Sequence, residues 1–187
     1  MEGLLLAAGA GRRMGMPKAL VSDDRGSWLL RGVATLTEGG CRRVTVVLGA
    51  DADRAAALLQ ELTDPPRTVV AGDWYEGMGA SLRTGLLALQ DSTDGFVMVS
   101  LVDLPDLVPE VVARVGTTAR GPSALARATY DGIPGHPVLL GRDHWPGIAQ
   151  SARGDRGARD YLAAHDVTLV ECGDLATGHD VDTPPPT

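Results

Sequence analysis

Short apolar runs alternate along the chain with stretches of helical period, and turn residues separate the two. Gly3–Ala8 predicts a buried strand that empties into a loop over Gly9–Pro17. Ser27–Glu38 predicts a helix, because Leu29, Leu30, Val33 and Leu36 fall on one stripe and Gly39-Gly40 stand just past its end. Arg43–Leu48 is a second strand, Asp51–Leu62 an Ala/Leu-rich helix with Asp51 as N-cap, and Arg67–Val70 a third strand after Pro65-Pro66. Helices over Ser81–Leu89 and Pro109–Val115 flank Gly95–Val102, an unbroken apolar run suited to burial on both faces. Strands near Ser123–Ala128 and Pro137–Leu140, a helix near Arg156–His165 and a strand over Val167–Glu171 complete the series.

Such alternation predicts an α/β, Rossmann-like three-layer α/β/α fold with a mostly parallel sheet, whose ligand sits at the carboxyl ends of the strands. A chain of 187 residues suits one domain with one real core, and no repeat or linker divides it. One domain is therefore expected over 1–187, with Pro184–Pro186 in a surface or mobile tail. The formal charge of −7 argues against coating nucleic acid or an anionic membrane, so an anionic ligand must be held locally. Cys41 and Cys172 lack metal-ligand spacing and read as reduced thiols, and no run approaches the ~20 apolar residues that span a bilayer. A cytoplasmic location is the expectation.

The richest chemistry lies in Leu6-Ala7-Ala8-Gly9-Ala10-Gly11-Arg12-Arg13-Met14-Gly15-Met16-Pro17-Lys18, where a strand runs into a glycine loop carrying three cations. Glycines let backbone N–H groups converge on phosphate oxygens, and Arg and Lys add charge-assisted hydrogen bonds. Two familiar phosphate loops do not fit: the residue three after Gly11 is Met14 where GxGxxG needs glycine, and Lys18 stands between Pro17 and Ala19 where a Walker A loop needs Gly and Ser/Thr.

The segment resembles the LAAGxSxRMGxxK signature of the MobA-like nucleotidyltransferases, and within them the molybdenum cofactor cytidylyltransferase branch. Further segments resemble the same family in order: Gly77-Met78-Gly79-Ala80-Ser81-Leu82-Arg83, Val102-Asp103-Leu104-Pro105, Gly135-His136-Pro137-Val138, Gly154-Asp155-Arg156-Gly157-Ala158-Arg159 and Asp180-Val181-Asp182-Thr183-Pro184. This resemblance implies a nucleotide-diphospho-sugar transferase-like fold. It also implies an NTP held by Leu6, Ala7, Ala8, Gly9, Ala10 and Gly11, with Gly9, Arg13 and Lys18 on the phosphates and Ala7 and Ala8 near the base. Ala8 stands where guanylyl-transferring relatives have a second glycine, which favours CTP over GTP. One departure is Gly11, where the family usually has a serine hydroxyl.

Asp103 follows an apolar strand and precedes Pro105, which places its carboxylate at a strand end as a ligand for Mg²⁺; helix capping is its alternative role. Asp182 is the second candidate ligand, with Asp180 as the alternate. Gly79 and Ser81 are candidate substrate contacts, although Ser81 would serve equally as a helix cap. His136 is a candidate acceptor contact or a structural histidine, Asp155 a cap for the following helix, and Arg156 or Arg159 a grip on an anionic acceptor. Trp74, Tyr75 and Trp145 default to core or rim packing.

Lys18, Arg13 and Asp103 are thus the catalytic candidates for transfer of a nucleoside monophosphate to a phosphorylated acceptor, which the resemblance makes a molybdopterin-type pterin, with possible hand-over to a molybdoenzyme. Two other classes stay open. Some relatives in this family are described as NAD(P)H-dependent oxidoreductases acting on a nicotine-derived pigment, and a non-catalytic cofactor carrier would use the same pocket.

Overall fold

The computed structural model describes residues 1–183, so the expected tail at Pro184–Pro186 lies outside the described residues. In chain order the elements are β1 (Glu2–Ala7), β2 (Ser22–Asp23), β3 (Gly26–Ser27), α1 (Trp28–Glu38), β4 (Arg43–Leu48), α2 (Ala52–Gln60), β5 (Arg67–Val70) and α3 (Met78–Ala88). There follow β6 (Phe96–Leu101), α4 (Pro109–Gly116), β7 (Leu125–Tyr130), β8 (Ile133–Gly141), α5 (Trp145–Ser151), α6 (Arg159–Ala163) and β9 (Thr168–Glu171).

The main sheet has the order β5-β4-β1-β6-β8-β7-β9. Every pairing is parallel except those of β8, which runs against both β6 and β7. Side chains alternate across the strands into two cores. Leu5, Val46, Leu48 and Met98 pack with Leu29, Leu36 and Val112 on one face, and Leu4, Val47, Val97 and Val99 with Leu82, Leu86 and Ile148 on the other. The fold is therefore the expected α/β sandwich of helices around a mostly parallel sheet, and it carries the ends of β1 and β6 to a common rim.

Ser27 caps α1, its hydroxyl accepting from Leu30 N. Asp51 precedes α2 but does not cap it through its side chain; it sits in the left-handed region at φ 56° and its carboxylate pairs with Arg54 at 2.9 Å. Helix α3 begins at Met78, three residues before the expected start, because Gly77 at φ 108° turns the chain there. The helix expected over Arg156–His165 divides into a 3-10 turn at Gly154–Arg156 and the short α6, with Gly157 at φ 53° between them. Two hairpins escaped the sequence reading. In β7–β8, Asp131 and Gly132 both take positive φ, 51° and 78°, the requirement of a tight hairpin turn, and pairing continues through Tyr130 and Ile133. The other is the small β2–β3 pair. Helix α5 was also missed; Trp145 within it is buried and donates its indole N–H to Leu140 O. Cys41 and Cys172 are buried thiols. Among the described residues no helix is long and apolar enough to cross a membrane.

Glu171 staples the β7–β8 turn to β9. Its carboxylate accepts from Gly173 N, Gly132 N, Asp131 N and the Thr129 hydroxyl, and these donors, Gly173 first, hold its pKa down to about 2. A folded-state pKa below the unfolded one gives stability that is complete above the unfolded value and is lost as pH falls through the folded one. Glu171→Gln should therefore lower the melting temperature at neutral pH, and the gap from wild type should close as pH is lowered from about 5 to about 2 in calorimetric scans.

Candidate active site

A cavity of about 540 Å³ opens where β1 and β6 end. The glycine loop after β1 forms one wall, Asp103, Asp180 and Asp182 another, and the Trp74–Met78 segment with Asp155 the rim. The loop closes on itself through Gly15 N donating to Gly11 O at 2.9 Å. Gly11 is at φ 56°, and a Cβ there would lie 1.9 Å from Met16 O. Glycine in place of the serine that the resemblance leads one to expect thus has a steric cause: this loop is wound too tightly to hold a side chain at that position. Gly11→Ser should weaken NTP binding rather than add a useful hydroxyl, a result that calorimetry would show as a loss of affinity, and the strained loop should lower the melting temperature as well.

Lys18 rises from a 3-10 turn behind Pro17 and bridges two carboxylates, with Nζ 2.6 Å from Asp103 Oδ2 and 2.6 Å from Asp182 Oδ1. Arg13 Nη2 reaches Asp182 Oδ2 at 2.7 Å. Asp103 stands just past β6, and its main-chain oxygen accepts from Val181 N at 3.0 Å, which draws the Asp180–Asp182 segment across the cavity. Burial raises the pKa of Asp103 against the pull of Lys18, whereas hydrogen bonding to Lys18 lowers that of Asp182. Burial opposes charge on Lys18 too, but its bonds to both aspartates outweigh this and raise its pKa.

The residues fit a divalent cation. Asp103 Oδ1 is buried without a hydrogen-bond partner, and Asp103, Asp180 and Asp182 bring carboxylate oxygens within 4.8 Å of one another. Hard oxygen donors beside a glycine loop suit Mg²⁺ or Mn²⁺. Asp180 and Asp182 both qualify by position, and Asp182 alone of the two also meets Lys18 and Arg13.

Of the residues singled out from sequence, Leu6, Ala8, Gly9, Ala10, Gly11 and Arg13 line the cavity, as do Lys18, Ser81, Asp103 and Asp182. Ala7 points instead into the core beneath α1. Gly79 lies under the backbone of Arg153, where a Cβ would come within 2.6 Å of Arg153 N, so its smallness serves packing. His136 is on β8, outside this cavity, with its main-chain oxygen accepting from the Tyr130 hydroxyl at 2.5 Å. Burial, aided by Arg127 and Arg159, pushes the His136 pKa down to about 4. Asp155 makes no cap for α6; it faces the cavity against Gly77. Arg156 pairs with Asp160 at 2.6 Å on the exposed surface.

Trp74 and Tyr75, which the sequence leaves between core and rim packing, stand at the cavity's rim, and so does Met78 of the Gly77–Arg83 segment. Trp74 and Tyr75 meet edge to face with centroids 6.2 Å apart, and Tyr75 is exposed. Arg83 fixes their turn by pairing with Asp73 at 2.6 Å.

The MobA-like NTP transferase domain matches residues 3–169. A nicotine blue oxidoreductase of Paenarthrobacter nicotinovorans is 39% identical over 194 residues, covering 98% of this chain and 92% of that one. The bifunctional protein GlmU of Mycobacterium tuberculosis is 37% identical over 150 residues, which cover 75% of this chain but only 30% of GlmU. In solved structures, Rv0371c of M. tuberculosis superimposes with a TM-score of 0.80 at 25% identity, over 97% of this chain and 92% of its own.

Proposed function

The chain belongs to the MobA-like NTP transferase family, and on that premise we propose that it transfers a nucleoside monophosphate, CMP in preference to GMP, from an NTP to a phosphorylated pterin-type acceptor and releases pyrophosphate. The observation that carries this reading is Lys18 held between Asp103 and Asp182 at the mouth of the glycine loop.

In the proposed reaction an acceptor phosphate oxygen attacks the α-phosphorus in line, the new P–O bond forms, and the bond to the β-phosphate oxygen breaks. Such a step needs positioning and charge neutralisation more than a covalent nucleophile. The N–H groups of Gly9–Gly11 hold the triphosphate, while Lys18 and Arg13 neutralise the charge that gathers on departing pyrophosphate. Asp103 and Asp182 would hold Mg²⁺, which when bound withdraws charge from phosphate oxygens. Rv0371c has been crystallised in complex with manganese, in keeping with a divalent ion at this site. Ser81, on the cavity wall, would donate to the nucleotide. We assign the protein to the cytoplasm, which suits its two buried thiols, and allow hand-over of the product to a molybdoenzyme.

Calorimetry with CTP, GTP and ATP, followed by a pyrophosphate-release assay with candidate acceptors, tests the proposal. CTP should bind most tightly and release should depend on acceptor; tight binding with no release would indicate a carrier. The full-length likeness to a nicotine blue oxidoreductase favours a second reading, reduction of a planar pigment by NAD(P)H. Absorbance at 340 nm, recorded with NADPH and a dye acceptor, separates the two, since sustained NADPH consumption without NTP would replace the transferase reading.

A further inference from the structure

Beside the nucleotide cavity, on the α3 face of the sheet, two arginines without acidic partners stand with a histidine. Arg127 on β7 lies opposite Val138 on β8, and Leu125 and Val138 both pack into the core shared with Leu82 of α3. His136 precedes Val138 by two residues, and Val138 pairs with Val99 of β6, so His136 stands near the level at which β6 gives way to Asp103. Arg159 opens α6 directly after Ala158, which packs against the same core. A contact joins this group to the cavity: a Cβ on Gly157 would meet Met78 Sδ at 3.2 Å, and Met78 lines the rim.

The two arginines oppose each other and disfavour a charge on His136. Burial lowers the pKa of Arg127 and Arg159 lowers it further, while burial and then both arginines depress His136. Arg127 is half-buried, yet its Nε and Nη2 donate only to Gly135 O, at 3.3 and 3.1 Å. Among the described residues neither Arg127 nor Arg159 forms an ion pair, although Arg83, Arg156 and Lys18 nearby all do. In a chain with a formal charge of −7, carboxylates to neutralise them are plentiful. Half-burying an arginine against a second cation is unfavourable, and an arriving anion would reverse that cost while using the guanidinium donors left over.

We propose that Arg127, Arg159 and the imidazole of His136 form a subsite for a phosphate group on the acceptor, apart from the loop that grips the NTP. The identity of the ligand as an acceptor rests on the transferase reading; the anion site itself does not. The probe is inorganic phosphate, titrated by ³¹P NMR into the whole protein with and without saturating CTP and Mg²⁺, so that the glycine loop is filled in one arm. Wild type should bind phosphate in both arms. Arg127→Gln and Arg159→Gln should each weaken that binding about tenfold, leave CTP affinity unchanged, and Arg127→Lys should recover part of the loss. Arg159 is exposed, so its variant keeps the result readable if substitution of Arg127 disturbs folding. Phosphate binding that is absent in wild type, or equal in wild type and Arg159→Gln, overturns the subsite. Phosphate binding that responds to these variants while CTP fails to bind leaves the subsite standing and removes the transferase reading.

Discussion

Lys18→Ala is expected to lower nucleotidyl transfer by roughly 10²–10³-fold while the sheet stays folded. Lys18 is the cation nearest the point where the loop, Asp103 and Asp182 converge, and it meets both carboxylates at 2.6 Å. Removing it deletes a preorganised positive charge where, in the proposed reaction, leaving-group charge gathers, a deficit that solvent in a partly closed cavity replaces poorly. It also strands Asp103, whose other oxygen already lacks a partner. Breaking a buried pair on one side typically costs about 3–5 kcal/mol, but Asp103 has an exit: burial already favours its protonated form, and uptake of a proton would cap the loss. The melting temperature should fall modestly and circular dichroism should keep its α/β shape. Near-wild-type pyrophosphate release in Lys18→Ala, or in the matching Asp103→Ala, would falsify the catalytic assignment.

Removal of divalent metal should abolish transfer outright, and Mg²⁺ or Mn²⁺ should restore it. The sharper measurement compares Asp182→Asn with Asp180→Asn by the metal concentration that gives half-maximal rate. Asp182 has the closer ties to the reacting region through Lys18 and Arg13, so its loss should raise that concentration by about tenfold or more. Asp180 acts on Asp103 chiefly through its charge, and its substitution should shift the requirement less. A larger shift for Asp180→Asn would exchange the two roles.

The strand-to-loop transition at Ala8-Gly9 and the Asp103 strand end were legible because each is a local event: an apolar run stops and a breaker follows. The parallel strands and their helices were legible for the same reason, through period and punctuation. What escaped was set at a distance. The β7–β8 hairpin turns on Asp131 and Gly132 adopting positive φ, and Asp-Gly in a sequence marks only the possibility of such a turn. Gly79 and Ala7 belong to motif segments whose neighbours reach the cavity, yet sequence order does not say which way a side chain faces. Arg127 carried no signal at all, since its meaning depends on Arg159 approaching from a helix far along the chain. The seriousness of Gly11 as a departure from the family also became readable only once Met16 O was seen against it.

Val181 N reaching back to Asp103 O has a temporal side. A chain made from its N-terminus possesses the glycine loop and Lys18 early, β6 and the Asp103 that follows it when about half the chain is made, but the second carboxylate only after β9 has emerged. Until then Lys18 has half its contacts and any bound cation lacks one anchor. A nascent chain on the ribosome would hold nucleotide loosely at most, and chemistry would begin only when residues 180–182 fold back over the pocket.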